Sequence, residues 1–400
     1  MAEIFENTYI ENTGLTPCIQ ERGRDGLQQL IIATANVAVN TLGDDKHLDE
    51  LVITTQTGRL MKNLVEWLVK LIKLNDGIEI QNVRLQPCFS NSQPVMRDIA
   101  VKVEKGRQRS MLVAIEPMNC VERKLRMNGI SRGILKRNDG KQPSMAESLD
   151  RFTSCFADAL GISREQLRKI SRRTALDLHK KKTRNSFAQK RAEVTEDDYD
   201  NSAINRRLGA DINHGLYDFC PTTNRGAALL LTHKDRMKDP SNAVKLVAHS
   251  TMNDTRINGE RSEFQNYPKN EALFRAMEEI FKNEVMQASG LTREKLLQNG
   301  IIEIHNAIGP LVMMALIEMG YIDPKNAFEE FMNFNLSHIN PSGGLLAGHP
   351  LSATFPMTVH TSRLQLLKQA GEMQIDDPHY ALFQSIWGLR DRVSLSIIQK

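Results

Sequence analysis

Three short segments place a nucleophile or a base where the chain turns from a strand towards a helix. The first is Arg84–Ser90, RLQPCFS, followed by a helical stretch, Gly106 and the apolar run MLVAIE. A cysteine at such a turn lies near the positive end of the helix dipole, which favours thiolate and makes Cys88 a better nucleophile. Pro94 fits only the first turn of that helix, so the start falls close to Cys88. The plain alternative is that Cys88 is a small buried hydrophobe. The second segment, Ile301–Leu311 (IIEIHNAIGPL), delivers His305 to the carboxyl end of an apolar strand. Reactive groups gather at such ends in open α/β folds, where a histidine serves as general base or as donor to an oxyanion. A packed structural histidine has the same pattern. The third, Asn340–Thr354 (NPSGGLLAGHPLSAT), crowds five glycines or prolines around His349. Glycines are used where backbone turns sharply or approaches a ligand, so this histidine is positioned and not merely packed.

Those segments need a scaffold, and the pattern is α/β, apolar β-rich runs alternating with longer helical ones. Strands are expected at Leu51–Thr55, Met111–Glu116, Ala227–Thr232, Ala243–Ser250 and Ile301–His305, with a last pair at Ala381–Trp387 and Arg392–Ile398. Helices are expected at Asp25–Leu42, Leu60–Leu74, Gln93–Lys105, Glu147–Leu160, Asn270–Ser289, Ile308–Met319 and Thr361–Ala370. Asn224-Arg225-Gly226-Ala227-Ala228 starts a core strand. From about Val121 to about Tyr217 the chain is charged, helical in pattern and poor in strand signals, like an insertion between two α/β halves. Cys88 early and His349 late occupy similar strand–helix turns, which hints at internal duplication.

Composition narrows the class. Hydrophobic residues at 40% and charged residues at 25% exclude a collagenous, disordered or coiled-coil chain. Cys18, Cys88, Cys120, Cys155 and Cys220 are odd in number and show no CxxC spacing, so neither a disulfide framework nor a metal site is expected. A reducing compartment fits best. No stretch approaches the roughly 20 apolar residues of a membrane span, and the amino terminus lacks the segments of a signal peptide. A soluble cytoplasmic protein is the expectation.

The run Asn340-Pro341-Ser342-Gly343-Gly344, then Gly348-His349-Pro350 and Ala353-Thr354, resembles the NPxGG…GHPxGAT signature of thiolases. Cys88-Phe89-Ser90 is similar to the CxS nucleophile motif, with its helix, its glycine and a strand ending in Glu116-Pro117-Met118. His305-Asn306-Ala307-Ile308 resembles the HDxF block of sterol-carrier-protein-type thiolases. The three blocks keep the family's order and spacing, and the charged middle is similar to its loop domain. This resemblance implies a duplicated five-layer αβαβα fold with a helical loop domain that helps to bind coenzyme A. The implied divisions are residues 1–120 for the first half, 121–217 for the loop domain, 218–260 for completion of the first half and 261–400 for the second. It implies that a coenzyme A thioester acylates Cys88, that His349 takes the thiol proton, and that His305 holds the thioester oxygen. Asn306, Gly343, Gly344 and Gly348 would support the oxyanion and its loop. The reaction would make or break a carbon–carbon bond on an acyl-CoA, and a homodimer would be the assembly.

The sequence departs from the family pattern at informative places. No cysteine follows Cys220, and Trp387-Gly388-Leu389 stands where a second, proton-moving cysteine is usual. Ala307 stands where some relatives have cysteine. Asn306 and Ile308 replace Asp and Phe, while Asn91, Ser352 and Phe355 replace glycines, and Phe89 is bulky for its position. The remaining Cys-His-His set resembles that of ketoacyl synthases, which condense acyl units without a second cysteine. Two other readings keep the fold: retro-aldol cleavage of a CoA-linked side chain, and a silent subunit that binds CoA or assembles a multienzyme complex.

Charge adds one more feature. The chain carries a net +4, yet Arg164–Arg191 alone carries +9, which leaves −5 on the other 372 residues. Arg172, Arg173, Lys180, Lys181, Lys182 and Arg184 are therefore candidates for the phosphates of coenzyme A, or for the acidic surface of an acyl carrier protein. A solvated helix face is the bland alternative. Nucleic acid has little support, because Phe187 is the one aromatic residue in the segment.

Overall fold

The computed structural model describes residues 1–56, 63–75, 77–86, 88, 92–117, 145–189, 192–205, 214–253, 271–387 and 392–400. Phe89, Ser90, Asn91, Met118, Cys120, Gly388 and Leu389 lie outside the described residues, as does the start of the helix expected at Leu60–Leu74.

The chain runs β1 (Glu3–Ile4), β2 (Thr8–Leu15), α1 (Gly23–Leu42), β3 (His47–Thr54), α2 (Leu64–Lys73), β4 (Glu79–Leu85), α3 (Gln93–Gly106) and β5 (Arg109–Glu116). Among the described residues of the middle region three α-helices follow: α4 (Met145–Ala159), α5 (Arg164–Thr183) and α6 (Glu196–Asn201). Next come β6 (Arg225–His233), β7 (Val244–Asn253), α7 (Glu271–Lys282), α8 (Glu284–Ala288), α9 (Arg293–Asn299) and β8 (Gly300–Ile304). The last elements are α10 (Pro310–Glu318), α11 (Ala327–Asn333), α12 (Thr354–Leu366), β9 (Tyr380–Trp387) and β10 (Arg392–Gln399).

The strands join in the order β4-β3-β5-β6-β2-β7-β10-β9-β8. This path divides into two related halves. In the first, parallel β4, β3 and β5 are followed by antiparallel β6 and then β2. In the second, parallel β8 and β9 are followed by antiparallel β10 and then β7. A single parallel bridge, Ile302↔Ile339, stands where β4 stands in the first half. The halves meet through a short β2–β7 pairing, Tyr9↔Lys245 and Ile10↔Val244. The stretch 218–260 thus contains β6, which belongs to the first half-sheet, and β7, which opens the second.

Alternation along the strands separates the layers, because successive side chains point to opposite faces. Leu51, Ile53, Met111 and Val113 pack outward against α1 and α2. Val52, Leu112, Leu229, Ile301, Ala381 and Phe383 face inward, onto Val95, Met96 and Ile99 of α3 and Phe355 and Val359 of α12. Ile302, Ile304, Leu382 and Leu395 form the other outer face, under α4, α7 and α10. Helix, half-sheet, paired central helices, half-sheet, helix is the five-layer arrangement. Among the described residues no helix is long and apolar enough to cross a membrane.

Most expected elements are present, and the differences have physical reasons. β2 and β4 were not expected: TYIENTGL is interrupted by polar residues, and EIQNVRL is largely exposed on the sheet edge. α12 starts at Thr354, ahead of the expected Thr361, because it is buried on nearly every side and shows no amphipathic period. The helix expected at Asn270–Ser289 breaks into α7 and α8.

Candidate active site

Two of the three candidate residues, Cys88 and His305, lie beyond the carboxyl ends of parallel strands, and His349 follows the isolated bridge at Ile339. Cys88 lies between β4 and α3, and Pro94 is in the first turn of that helix, as its sequence position requires. Cys88 is buried and belongs with Val95 and Phe355 to the apolar core of the central layer. His305 directly follows β8, and its backbone N–H donates to Gln384 Oε1 on neighbouring β9 at 2.9 Å. His349 precedes α12 in the second half as Cys88 precedes α3 in the first.

The structure brings the two histidines together. Their rings stand edge to face, with centroids 5.2 Å apart at 88°. His349 Nδ1 is hydrogen-bonded to Oγ1 of Thr354, the first residue of α12, at 2.8 Å. That contact orients the ring and leaves Nε2 for exchange chemistry. The His349 backbone is fixed too: its N–H donates to Pro221 O at 2.8 Å, its carbonyl accepts from Thr223 at 3.3 Å, and it bridges Thr222 in parallel. Burial depresses the pKa of His305 to about 4. Burial, and then the neighbouring His305, hold His349 well below the ordinary histidine value. Both rings are therefore neutral near pH 7, the form a general base needs.

The loop before His349 is braced by side-chain amides. Asn340 Oδ1 accepts from the Ile304 N–H at 2.7 Å, and its Nδ2 donates to Asn306 Oδ1 at 3.1 Å. The same Asn306 oxygen accepts from the Leu345 N–H at 2.9 Å. Asn306 Nδ2 is buried without a hydrogen-bond partner. A Cβ on Gly344 would lie 2.4 Å from Asn306 Oδ1, so only glycine fits against this brace. Gly348 has φ 136° and passes over Thr223, while Leu351 is held at φ 37°, a conformation uncommon for a leucine.

A buried ionic contact supports the loop from below. Glu303, two residues before His305, accepts from Ser342 Oγ at 3.3 Å, and burial pushes its carboxyl up to about 7 despite the nearby Lys181. Lys181 Nζ donates to Asp177 Oδ2 at 2.7 Å and to the carbonyls of Leu336 and Ile339 at 2.6 and 2.8 Å. Asn185 Nδ2 donates to Ser342 O, and a Cβ on Gly343 would strike Lys182.

These contacts revise the picture of the basic segment. Ser163 and Gln166 form a reciprocal cap that starts α5. Along that helix Arg172 pairs with Glu196 and Asp200, and Arg173 donates to the carbonyls of Phe331 and Phe334. Lys181 and Lys182 are buried. Of the six cations singled out above, Lys180 and Arg184 are exposed.

Two departures from the family pattern have structural roles. Ser352 donates through Oγ to Ile115 O at 3.3 Å and through its N–H to Glu116 Oε2 at 3.4 Å, tying the two halves together. Phe355 stacks edge-on against Phe383, with centroids 5.7 Å apart. Gln384 and Glu303 escaped the sequence reading, and Lys181, expected at the coenzyme A phosphates, is instead buried on Asp177 and the carbonyls of Leu336 and Ile339. Single polar residues inside the apolar runs ALFQSIW and IIEIH were the available signal for the first two. Among the described residues no group of His, Cys, Asp and Glu could hold a metal ion.

No family model matches the sequence, and no curated protein is similar to it at a significant level. Solved structures are similar in fold. A monomeric SCP2-thiolase-like protein type 1 from Mycobacterium smegmatis matches 98% of this chain and 77% of its own, with TM-score 0.71 and 14% identity. The Ltp2-ChsH2(DUF35) aldolase matches over 98% and 97% with TM-score 0.72 and 16% identity. The dimeric peroxisomal thiolase of Saccharomyces cerevisiae matches over 99% and 98% with TM-score 0.63 and 16% identity. The likeness lies in the architecture and spans nearly the whole chain: this protein has a thiolase-like fold.

Proposed function

We propose that the chain is an acyl-CoA-dependent acyltransferase that works through an acyl-cysteine at Cys88. The observation that carries this reading is the neutral, edge-to-face pair His305 and His349, braced at the strand ends where the second half repeats the Cys88 turn of the first. In the proposed first step His349 Nε2 takes the Cys88 proton and the sulfur attacks the thioester carbonyl. The oxyanion is held by His305. The intermediate then expels the coenzyme A thiolate, which regains the proton, and leaves an acyl-Cys88 thioester. A second acyl-CoA, enolised with help from a neutral histidine, then attacks that thioester, forms the carbon–carbon bond and frees Cys88. Exposed Lys180 and Arg184 are the cations we assign to the coenzyme A phosphates. A second copy of the chain would pair along β4, an exposed edge strand beside an apolar groove of about 560 Å³ lined by Val65, Val69, Leu74 and Val83.

The test is incubation with acetyl-CoA and longer acyl-CoA donors, followed by mass spectrometry of the Cys88 peptide. An adduct that disappears in Cys88→Ala supports the reading. No adduct with any donor removes Cys88 as nucleophile. The likeness to an aldolase favours one second reading, retro-aldol cleavage of a CoA-linked side chain. Turnover of a β-hydroxyacyl-CoA that survives Cys88→Ala would establish it instead.

A further inference from the structure

Arg225 opens β6 and none of its surface reaches solvent. Its Nη2 donates to the carbonyl of Phe187, in the chain beyond α5, and the Cys18 thiol lies against the guanidinium as a weak hydrogen-bond partner. No oxygen or nitrogen among the described residues meets its buried Nε and Nη1. Glu116 faces Arg225 in the β5–β6 register, and its Oε2 accepts from the backbone of Gln56 and Ser352.

A second unsatisfied nitrogen accompanies the first. His360 of α12 is hydrogen-bonded through Nδ1 to Thr13 Oγ1 at 2.9 Å, while Nε2 is buried without a partner. Burial, and then the charges of Arg363 and Arg225, keep this ring neutral at pH 7. Phe187 also packs against a separate apolar cluster of Ala114, Ala227, Ala353, Leu15 and Met357. The Phe187 ring stands edge-on to His360 at 4.9 Å.

An ionised guanidinium held out of water without a counter-charge costs several kcal/mol, and native proteins rarely leave such donors unmet. The location links the anomaly to the active site. Thr222, three residues before Arg225, bridges His349, and Gln189, two after Phe187, donates its N–H to Ala347 O at 2.8 Å in the histidine loop.

We propose that Arg225 and His360 form an internal receptor for a carboxylate carried by the ligand. Arg225 supplies the charge and its unused N–H groups. With Thr13 donating to Nδ1, His360 adds a neutral Nε2–H donor. This deepens the acyltransferase reading and rests on it only for the ligand's other end: the substrate class becomes an acyl thioester with a carboxylate at the far end of its acyl group.

The first test does not involve Cys88. Thermal unfolding is followed with succinate, acetate, inorganic phosphate and chloride at matched ionic strength. Wild type should gain stability with the carboxylates over chloride. Arg225→Met should lose that response, yet unfold no lower than wild type without carboxylate, because it removes a buried cation with two nitrogens unmet among the described residues. Arg225→Lys, a second variant that keeps the charge, should bind succinate about tenfold more weakly. No carboxylate response in wild type, an equal response in Arg225→Met, or a response to phosphate alone would overturn the proposal. In a second arm, succinyl-CoA and butyryl-CoA are compared as donors to Cys88. Arg225→Met should slow the first selectively, and equal slowing of both would also overturn it. If Cys88 takes no adduct from any donor, the unfolding arm still decides.

Discussion

The two halves of the duplicated fold lead into their strand-to-helix turns differently. Cys88 follows β4, a strand seven residues long and mostly exposed. The His349 turn has lost that strand to a single bridge, Ile302↔Ile339, and is secured by side chains instead. Asn340, Asn306, Glu303 and Lys181 take over work that ladder hydrogen bonds do in the first half. A nucleophile needs access to its substrate, whereas a base needs a fixed tautomer and direction. The bracing of His349 by Thr354 and of its loop by Asn340 and Asn306 fits the duty proposed for it.

The comparison can be broken in several places. The largest expected effect is at the chemical groups: His349→Ala should slow acylation of Cys88 by about 10²–10⁴ in a quenched-flow mass assay. Equal rates in the variant would remove His349 as the base. Next is the brace. Gly344→Ala drives a methyl into Asn306 and should lower stability by about 2–4 kcal/mol in denaturant unfolding, and an Asn340→Ala chain left with an unpaired Ile304 N–H should lose about 1–3 kcal/mol.

A pH effect should follow from burial. His305 titrates at about 4 in the folded chain, below its unfolded value, so its stabilising contribution is present above about pH 6.5 and lost as pH falls towards 4. The acid limb of the acylation rate should therefore lie nearer pH 4–5 than 6.5. Glu303 has the opposite sign: its folded value of about 7 exceeds the unfolded one, so its contribution is full below about pH 4.5 and lost as pH rises through 7. Glu303→Gln should flatten the unfolding free energy across that window. The smallest effect is on the exposed edge strand β4, where Val83→Lys should shift sedimentation of the proposed dimer towards monomer and leave unfolding within about 0.5 kcal/mol.

Much of this was legible in the chain itself. Apolar runs such as MLVAIE and IIEI announce strands because a strand covered on both faces must be apolar throughout. The place of His305 at a strand end follows from such a run, whereas the strand before Cys88 is polar and exposed and His349 is marked by the glycines and prolines of its loop. The basic segment was legible as charge and misleading as surface. Arg173 and Lys181 cap carbonyls that are remote in sequence, and no local pattern marks a lysine that will be buried by a later loop.

The sequence by itself determined which residues could react and which turns would hold them, because strand period, glycine and proline are local properties. Tertiary structure alone decided that His305 and His349 meet, that Asn306 spends its oxygen on Leu345 and Asn340, and that Arg225 is fully buried with two nitrogens unmet among the described residues. Each of those depends on contacts between segments tens to hundreds of residues apart. Such contacts are settled by how the two half-sheets close around α3 and α12.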